Sequence, residues 1–151
     1  MNRTNDKPIP GDVLSVNRGL YKHYGVYIGN DEVVHFSGGA ENELSAERAC
    51  IRKTSLEEFR GDGEIEIEAN NCGAFSHEET AARARAAVGS EKGKYDLAWN
   101  NCEHFANWCR YGKKRSLQVE RAAVGFVGMA ILGLGVALSA MLSDQLDIDF
   151  I

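Results

Sequence analysis

Proline is scarce in this chain: two residues in 151, at positions 8 and 10. With 44% hydrophobic residues beside so little proline, wholesale disorder is excluded. A basic surplus is also missing. Seventeen lysines and arginines stand against 22 acidic residues, a net charge of -5, which argues against a nucleic-acid binder working through a broad basic face. The four cysteines contain no CxxC pair, so zinc-ribbon spacing is absent and no metal is expected. The N-terminus, MNRTNDKPIP, lacks an apolar core, so no signal peptide is expected. The length suits one small domain.

What the chain does have is one long uncharged run. Residues 122–142, AAVGFVGMAILGLGVALSAML, carry no charge, no proline and a single hydroxyl at Ser139. As a helix the run would be about 31 Å long, the thickness of a bilayer's hydrocarbon core. It is apolar on every side, unlike a surface helix. Four glycines (125, 128, 133 and 135) would each weaken a helix in water by about 1 kcal/mol, but are common in lipid. Gly133–Ala137 and Gly135–Ser139 are small pairs four apart, a face for self-association. Lys113, Lys114, Arg115 and Arg121 precede the run; Asp144, Asp147 and Asp149 follow it. The positive-inside rule then places the N-terminal domain in the cytoplasm. The competing reading is a buried core helix of a soluble fold. The expected organisation is a working domain over 1–112, a basic juxtamembrane linker over 113–121, a transmembrane anchor over 122–142 and an acidic tail over 143–151. The tail carries three of the five net negative charges, which leaves the remainder near neutral.

Within 1–112 the pattern predicts strands first and helices later, an α+β domain. VLSV follows a Pro-Gly-Asp turn. HYGVYIG and EVVHFSG flank Gly29-Asn30-Asp31 and read as a hairpin. Residues 38–48 read as a polar loop, 49–53 as a strand, 55–59 as one helical turn and 64–69 as an alternating strand. Ser76 and Glu79 form a capping box for an alanine-rich helix that stops near Gly89. Asn100 or Asn101 caps a further helix, CEHFANWCRY, which Gly112 closes.

Cys102 opens that last helix. Backbone N–H groups and the helix dipole favour a thiolate there, and the same N–H groups offer an oxyanion hole. Taken alone, a cysteine of this kind is more often a small core residue. Cys109, two turns on, shares its face and is expected in the core; Cys50 and Cys72 are assigned to packing. A nucleophile needs a base. His23 lies six residues before Gly29 and His35 four after Asp31, so the hairpin would bring them together, one able to orient the other. His104 is expected to support the helix and His77 to sit in a capping turn.

Pro10-Gly11-Asp12, His23-Tyr24 before GVYIG, Val33-Val34-His35 and Asn101-Cys102-Glu103-His104-Phe105 resemble the lecithin:retinol acyltransferase domain family, in particular its small phospholipase A/acyltransferase (H-rev-like) members. The resemblance spans about residues 8–112. It implies a permuted papain-like thiol hydrolase fold, an antiparallel sheet with helices, plus a C-terminal anchor. It implies Cys102 as nucleophile, His23 as general base and His35 as the orienting third member, with Asn101, Tyr24 and His104 in support. Tyr24 fills a place where the family often has Trp, and Ala106 one where Val is common; neither touches the chemistry. The implied reaction is phospholipase A or acyl transfer on glycerophospholipid esters through a Cys102 thioester, without cofactor or metal. The partners implied are a phospholipid membrane, an acyl-donor lipid, and water, an amine or an alcohol as acceptor. The alternatives are a permuted cysteine peptidase or amidase, deubiquitinase-like, and a catalytically silent membrane-tethered interaction domain.

Overall fold

The computed structural model describes residues 7–39, 42–70, 72–94, 96 and 101–113. Its elements run β1 (Val13–Asn17), β2 (Lys22–Gly29), β3 (Glu32–Ser37), β4 (Cys50–Ser55), α1 (Leu56–Arg60), β5 (Ile65–Ile67), α2 (His77–Ala87) and α3 (Cys102–Tyr111). The strands form one sheet in the order β4-β3-β2-β1-β5, and every neighbouring pair is antiparallel. This is the α+β arrangement of antiparallel sheet and helices read from the sequence. Among the described residues no helix is long and apolar enough to cross a membrane. The 122–142 run, most of its basic linker and the acidic tail lie outside the described residues.

The β2–β3 hairpin turns as its residues dictate. Asn30 and Asp31 both take positive φ, 53° and 54°, the pair a two-residue type I′ turn requires. Asn and Asp tolerate that region better than other side chains. β4 starts and ends slightly later than the pattern predicts, at Cys50 and Ser55. β5 keeps only three residues of the alternating run, because only Ile65–Ile67 finds partners on β1.

Alternation along the strands builds two apolar layers. Val13, Val26, Ile28, Val34, Phe36 and Ile51 pack under α2 and α3 with Ala81, Ala84, Phe105, Ala106 and Cys109. The alanines keep α2 close to the sheet. Leu14, Val16, Tyr27, Val33 and Ile67 face the other way and pack with Phe59 of α1. Phe59 is 1% exposed; burying such a ring contributes about 2–3 kcal/mol. Ser55 caps α1 by accepting the Glu58 N–H, so this five-residue helix is pinned at one end by its cap and along its length by Phe59.

Both later helices end as predicted. Ser76 and Glu79 close a reciprocal capping box on α2. On α3, Gly112 adopts the left-handed conformation, φ 72°, and its N–H returns to the Trp108 carbonyl. Arg83 of α2 lies 4.0 Å over the Trp108 ring and 4.9 Å over Phe75, which ties α2 to α3.

Candidate active site

Asn101, not its predecessor, is the cap of α3. Its extended backbone turns the Oδ1 back to accept the N–H groups of Glu103 (3.0 Å) and His104 (3.1 Å). His104 answers by accepting the Asn101 N–H on Nδ1 at 3.3 Å, taking the place Glu or Gln usually fills. Cys102 thereby sits at the first helical position, 2% exposed, with its thiol directed to the Lys22 carbonyl at 3.9 Å. One expectation changes. The N–H groups of Glu103 and His104 are engaged by Asn101, so they are not available as an oxyanion hole.

Lys22 opens β2, and the next residue is His23. Its ring and that of His35 on β3 meet at 2.7 Å, His23 Nε2 to His35 Nδ1. The two are not directly opposite, since His35 pairs with Gly25. They are diagonal neighbours on one face, and Gly25 makes the contact possible. A Cβ there would stand 2.6 Å from Val33 Cγ1, 2.8 Å from Phe59 Cε2 and 3.2 Å from His35 Cβ. Phe59 closes the pair from above, 5.4 Å from each ring centroid.

The far nitrogen of His35, Nε2, lies 3.1 Å from Thr54 Oγ1 on β4. The Thr54 hydroxyl donates to the Ser55 carbonyl at 3.3 Å, so its lone pairs face His35. With the Thr54 hydroxyl turned to the Ser55 carbonyl, the tautomers that fit are His35 Nε2–H donating to Thr54 and His23 Nε2–H donating to His35 Nδ1, an arrangement in which His23 Nδ1 is the bare acceptor. That atom is buried and has no hydrogen-bond partner. Burial, aided by the Arg18 charge, lowers the His23 pKa to about 3. Burial and then the His23 charge push His35 well below its ordinary value. Both rings are neutral at pH 7, the state in which Nδ1 can take a proton.

A charged cluster borders this nitrogen. Glu43 Oε2 lies 3.7 Å from His23 Nδ1. The same carboxylate is held by Arg18 (2.7 Å and 3.2 Å) and by the Tyr21 hydroxyl (2.8 Å). The Tyr21 pKa is raised, mainly by burial and by the bond to Glu43, and also by the nearby Cys102.

The structure therefore brings His23 and His35 into contact and sets Cys102 beside the residue preceding His23. Asn101 and His104 shape the cap. Tyr24 points to the other face of β2, where it packs with Trp108 against the α2–α3 layer. Cys109 is fully buried in that layer and burial pushes its pKa up. His77 pairs with Asp12 at 3.1 Å. Cys72 departs from expectation: it is exposed rather than packed, because its segment forms a turn outside both apolar layers. Gly25, Thr54, Arg18, Tyr21 and Glu43 were not singled out by the sequence reading. Only Gly25 carried a local signal, a glycine inside a strand of branched and aromatic residues.

Comparison with known proteins agrees with the geometry. Residues 6–115 match the family model for lecithin retinol acyltransferase. Phospholipase A and acyltransferase 3 of Mus musculus is 35% identical over 150 residues, covering 88% of this chain and 92% of that protein. The Homo sapiens protein of the same name is 30% identical over 148 residues, covering 90% and 89%. Lecithin retinol acyltransferase of Rattus norvegicus is 32% identical over 135 residues, covering 74% of this chain and 58% of that longer protein.

Proposed function

Because this chain belongs to the lecithin retinol acyltransferase family of enzymes, we propose that it is a membrane-anchored thiol enzyme that moves acyl groups from glycerophospholipids by a Cys102 thioester. The observation that carries this is the contact chain from Thr54 through His35 to the unpartnered, buried Nδ1 of His23, which we read as running one way. A neutral imidazole with an unoccupied acceptor nitrogen is the form a general base must take. His35 holds the tautomer and Thr54 holds His35.

In the first half-reaction His23 Nδ1 takes the Cys102 proton and the thiolate attacks an ester carbonyl carbon. The tetrahedral intermediate collapses with loss of the glycerol oxygen, which takes the proton back from His23, and a lysolipid leaves. The thioester remains on Cys102. Water, or an amine or alcohol, then gives up a proton to His23, attacks the same carbon and expels the thiolate. Hydrolysis and transfer share this intermediate and differ only in the second nucleophile.

Residues 122–142 form the anchor, residues 1–112 the cytoplasmic catalytic domain, and the basic 113–121 segment approaches anionic headgroups. Leu20, in the turn between β1 and β2 next to Tyr21, is fully exposed, and Leu44 beside Glu43 is 36% exposed. Both suit contact with acyl chains near the site mouth. Deleting residues 120–151 moves the protein from the membrane to the soluble fraction; retention of the truncated form on membranes contradicts the anchor.

The test of substrate class is direct. The protein is incubated with phosphatidylcholine vesicles and, separately, with a panel of peptides and ubiquitin conjugates. Release of lysolipid with fatty acid or acylated acceptor supports the proposal. Turnover of amide substrates alone refutes it and favours a peptidase.

A further inference from the structure

The cluster beside His23 is built like an occupied binding site. Arg18 follows β1, Tyr21 precedes β2, and the Arg18 N–H donates to the Tyr21 carbonyl at 2.9 Å, closing the turn. The Arg18 guanidinium is fixed from behind. Nη1 donates to the Arg60 carbonyl and Nη2 to the Phe59 carbonyl, each at 2.7 Å, both at the end of α1. Its remaining hydrogen-bonding edge, Nε with Nη2, holds both oxygens of Glu43, and the Tyr21 hydroxyl donates to one of them. An arginine fork with a phenol beside it fits a two-oxygen anion of any origin.

Three features separate this cluster from an ordinary surface ion pair. Arg18 is anchored by two α1 carbonyls as well as by Glu43, so its hold on the site does not rest on Glu43 alone. The occupant stands 3.7 Å from the unpartnered, fully buried Nδ1 of His23, the atom that must handle the proton. Cys102, 2% exposed, borders the same cluster, close enough to Tyr21 to help raise that phenol's pKa.

We propose that Arg18 and Tyr21 form a binding site for a singly charged oxyanion carried by the lipid, and that Glu43 is the internal occupant which that anion displaces. This rests on the lipid-acyl function proposed above. The oxyanion has two sources: the phosphodiester of the donor phospholipid, or the carboxylate of the released fatty acid. Glu43 competes with either as a tethered ligand present at high effective concentration.

The test uses the full-length protein in detergent micelles, wild type and Glu43→Gln, titrated with hexanoate and with dimethyl phosphate. Thermal unfolding midpoints give apparent affinities without turnover, so failure of this site and failure of phospholipid hydrolysis register separately. Glu43→Gln is expected to bind one probe at least about tenfold more tightly than wild type, because the competing state is gone. Adding Arg18→Gln to Glu43→Gln removes the gain. Tightening for hexanoate identifies the product carboxylate, and tightening for dimethyl phosphate identifies the headgroup. Glu43→Ser, which keeps no group against Tyr21, is measured in parallel and shows the same gain. Equal affinities of wild type and both Glu43 variants for both probes overturn the proposal.

Discussion

Replacing Thr54 by valine removes one oxygen and keeps the shape, and its consequence can be worked from the hydrogen-bond chain. In the native arrangement the Thr54 oxygen accepts from His35 Nε2–H at 3.1 Å, and this keeps His35 Nδ1 bare to accept from His23 at 2.7 Å. Without that oxygen the buried His35 Nε2–H loses its partner, a cost of about 1–3 kcal/mol. The pair escapes the cost by moving protons: His35 Nδ1–H donates to His23 Nε2, and the His23 proton shifts to Nδ1. His23 then cannot accept from the thiol. Thr54 is half-exposed, so water offsets part of the penalty, and a bias of about 1–2 kcal/mol toward the inactive tautomer is expected. That lowers kcat/KM about 5- to 30-fold. The assay is hydrolysis of a short-chain phospholipid, with global stability followed by urea unfolding. Thr54→Ser keeps the oxygen and restores most of the rate. Full activity in Thr54→Val would refute the relay direction and leave Thr54 as a packing residue.

Gly25→Ala would place a methyl 2.6 Å from Val33 Cγ1 and 2.8 Å from Phe59 Cε2; a loss of about 1–3 kcal/mol in urea unfolding is expected, with impaired turnover because Phe59 and His35 must shift. His23→Ala lowers kcat by about 10²–10⁴-fold, and His35→Ala by less, because an orienting residue is replaced in part by water; equal losses would contradict the division of roles. Stability also depends on pH through the same pair. Their folded pKa values lie below the unfolded value of about 6.5, so their contribution is present above that pH and is lost as pH falls toward the folded value, about 3 for His23. Each ring that stays neutral while its unfolded counterpart protonates lowers the unfolding free energy by up to about 1.4 kcal/mol per pH unit once pH is well below 6.5, so the drop steepens as pH falls and is smaller in His35→Asn. A flat profile between pH 6.5 and 5 would show that the rings titrate normally.

Local patterns legible in the sequence were those enforced by near neighbours. The I′ turn at Asn30-Asp31, the Ser76–Glu79 box and the Gly112 stop each depend on a few adjacent residues, and each stands where the sequence put it. The His23–His35 meeting was also readable, because a hairpin turns sequence separation into distance. Its diagonal register was not, since the offset depends on an irregularity between Tyr27 and Gly29. Thr54 and Glu43 were invisible for a different reason. Thr54 reaches His35 only through the β3–β4 pairing, and Glu43 reaches Arg18 across 25 positions from a loop with no periodicity. The capping of α3 by Asn101 was foreseen, but its effect on the oxyanion hole was not: the cap engages two of the donors, on Glu103 and His104, that a bare helix end would offer.

In the proposed reaction Cys102 carries the acyl group. Full-length protein is mixed with a phospholipid of defined chain length, quenched in acid within the first turnover, digested and examined by mass spectrometry. The peptide containing Cys102 is expected to gain the mass of that acyl chain, to lose it on treatment with neutral hydroxylamine, and to gain nothing in Cys102→Ala, which also fails to turn over. Continued lipid turnover by Cys102→Ala, with no acyl mass on the wild-type peptide, would contradict the mechanism at its centre.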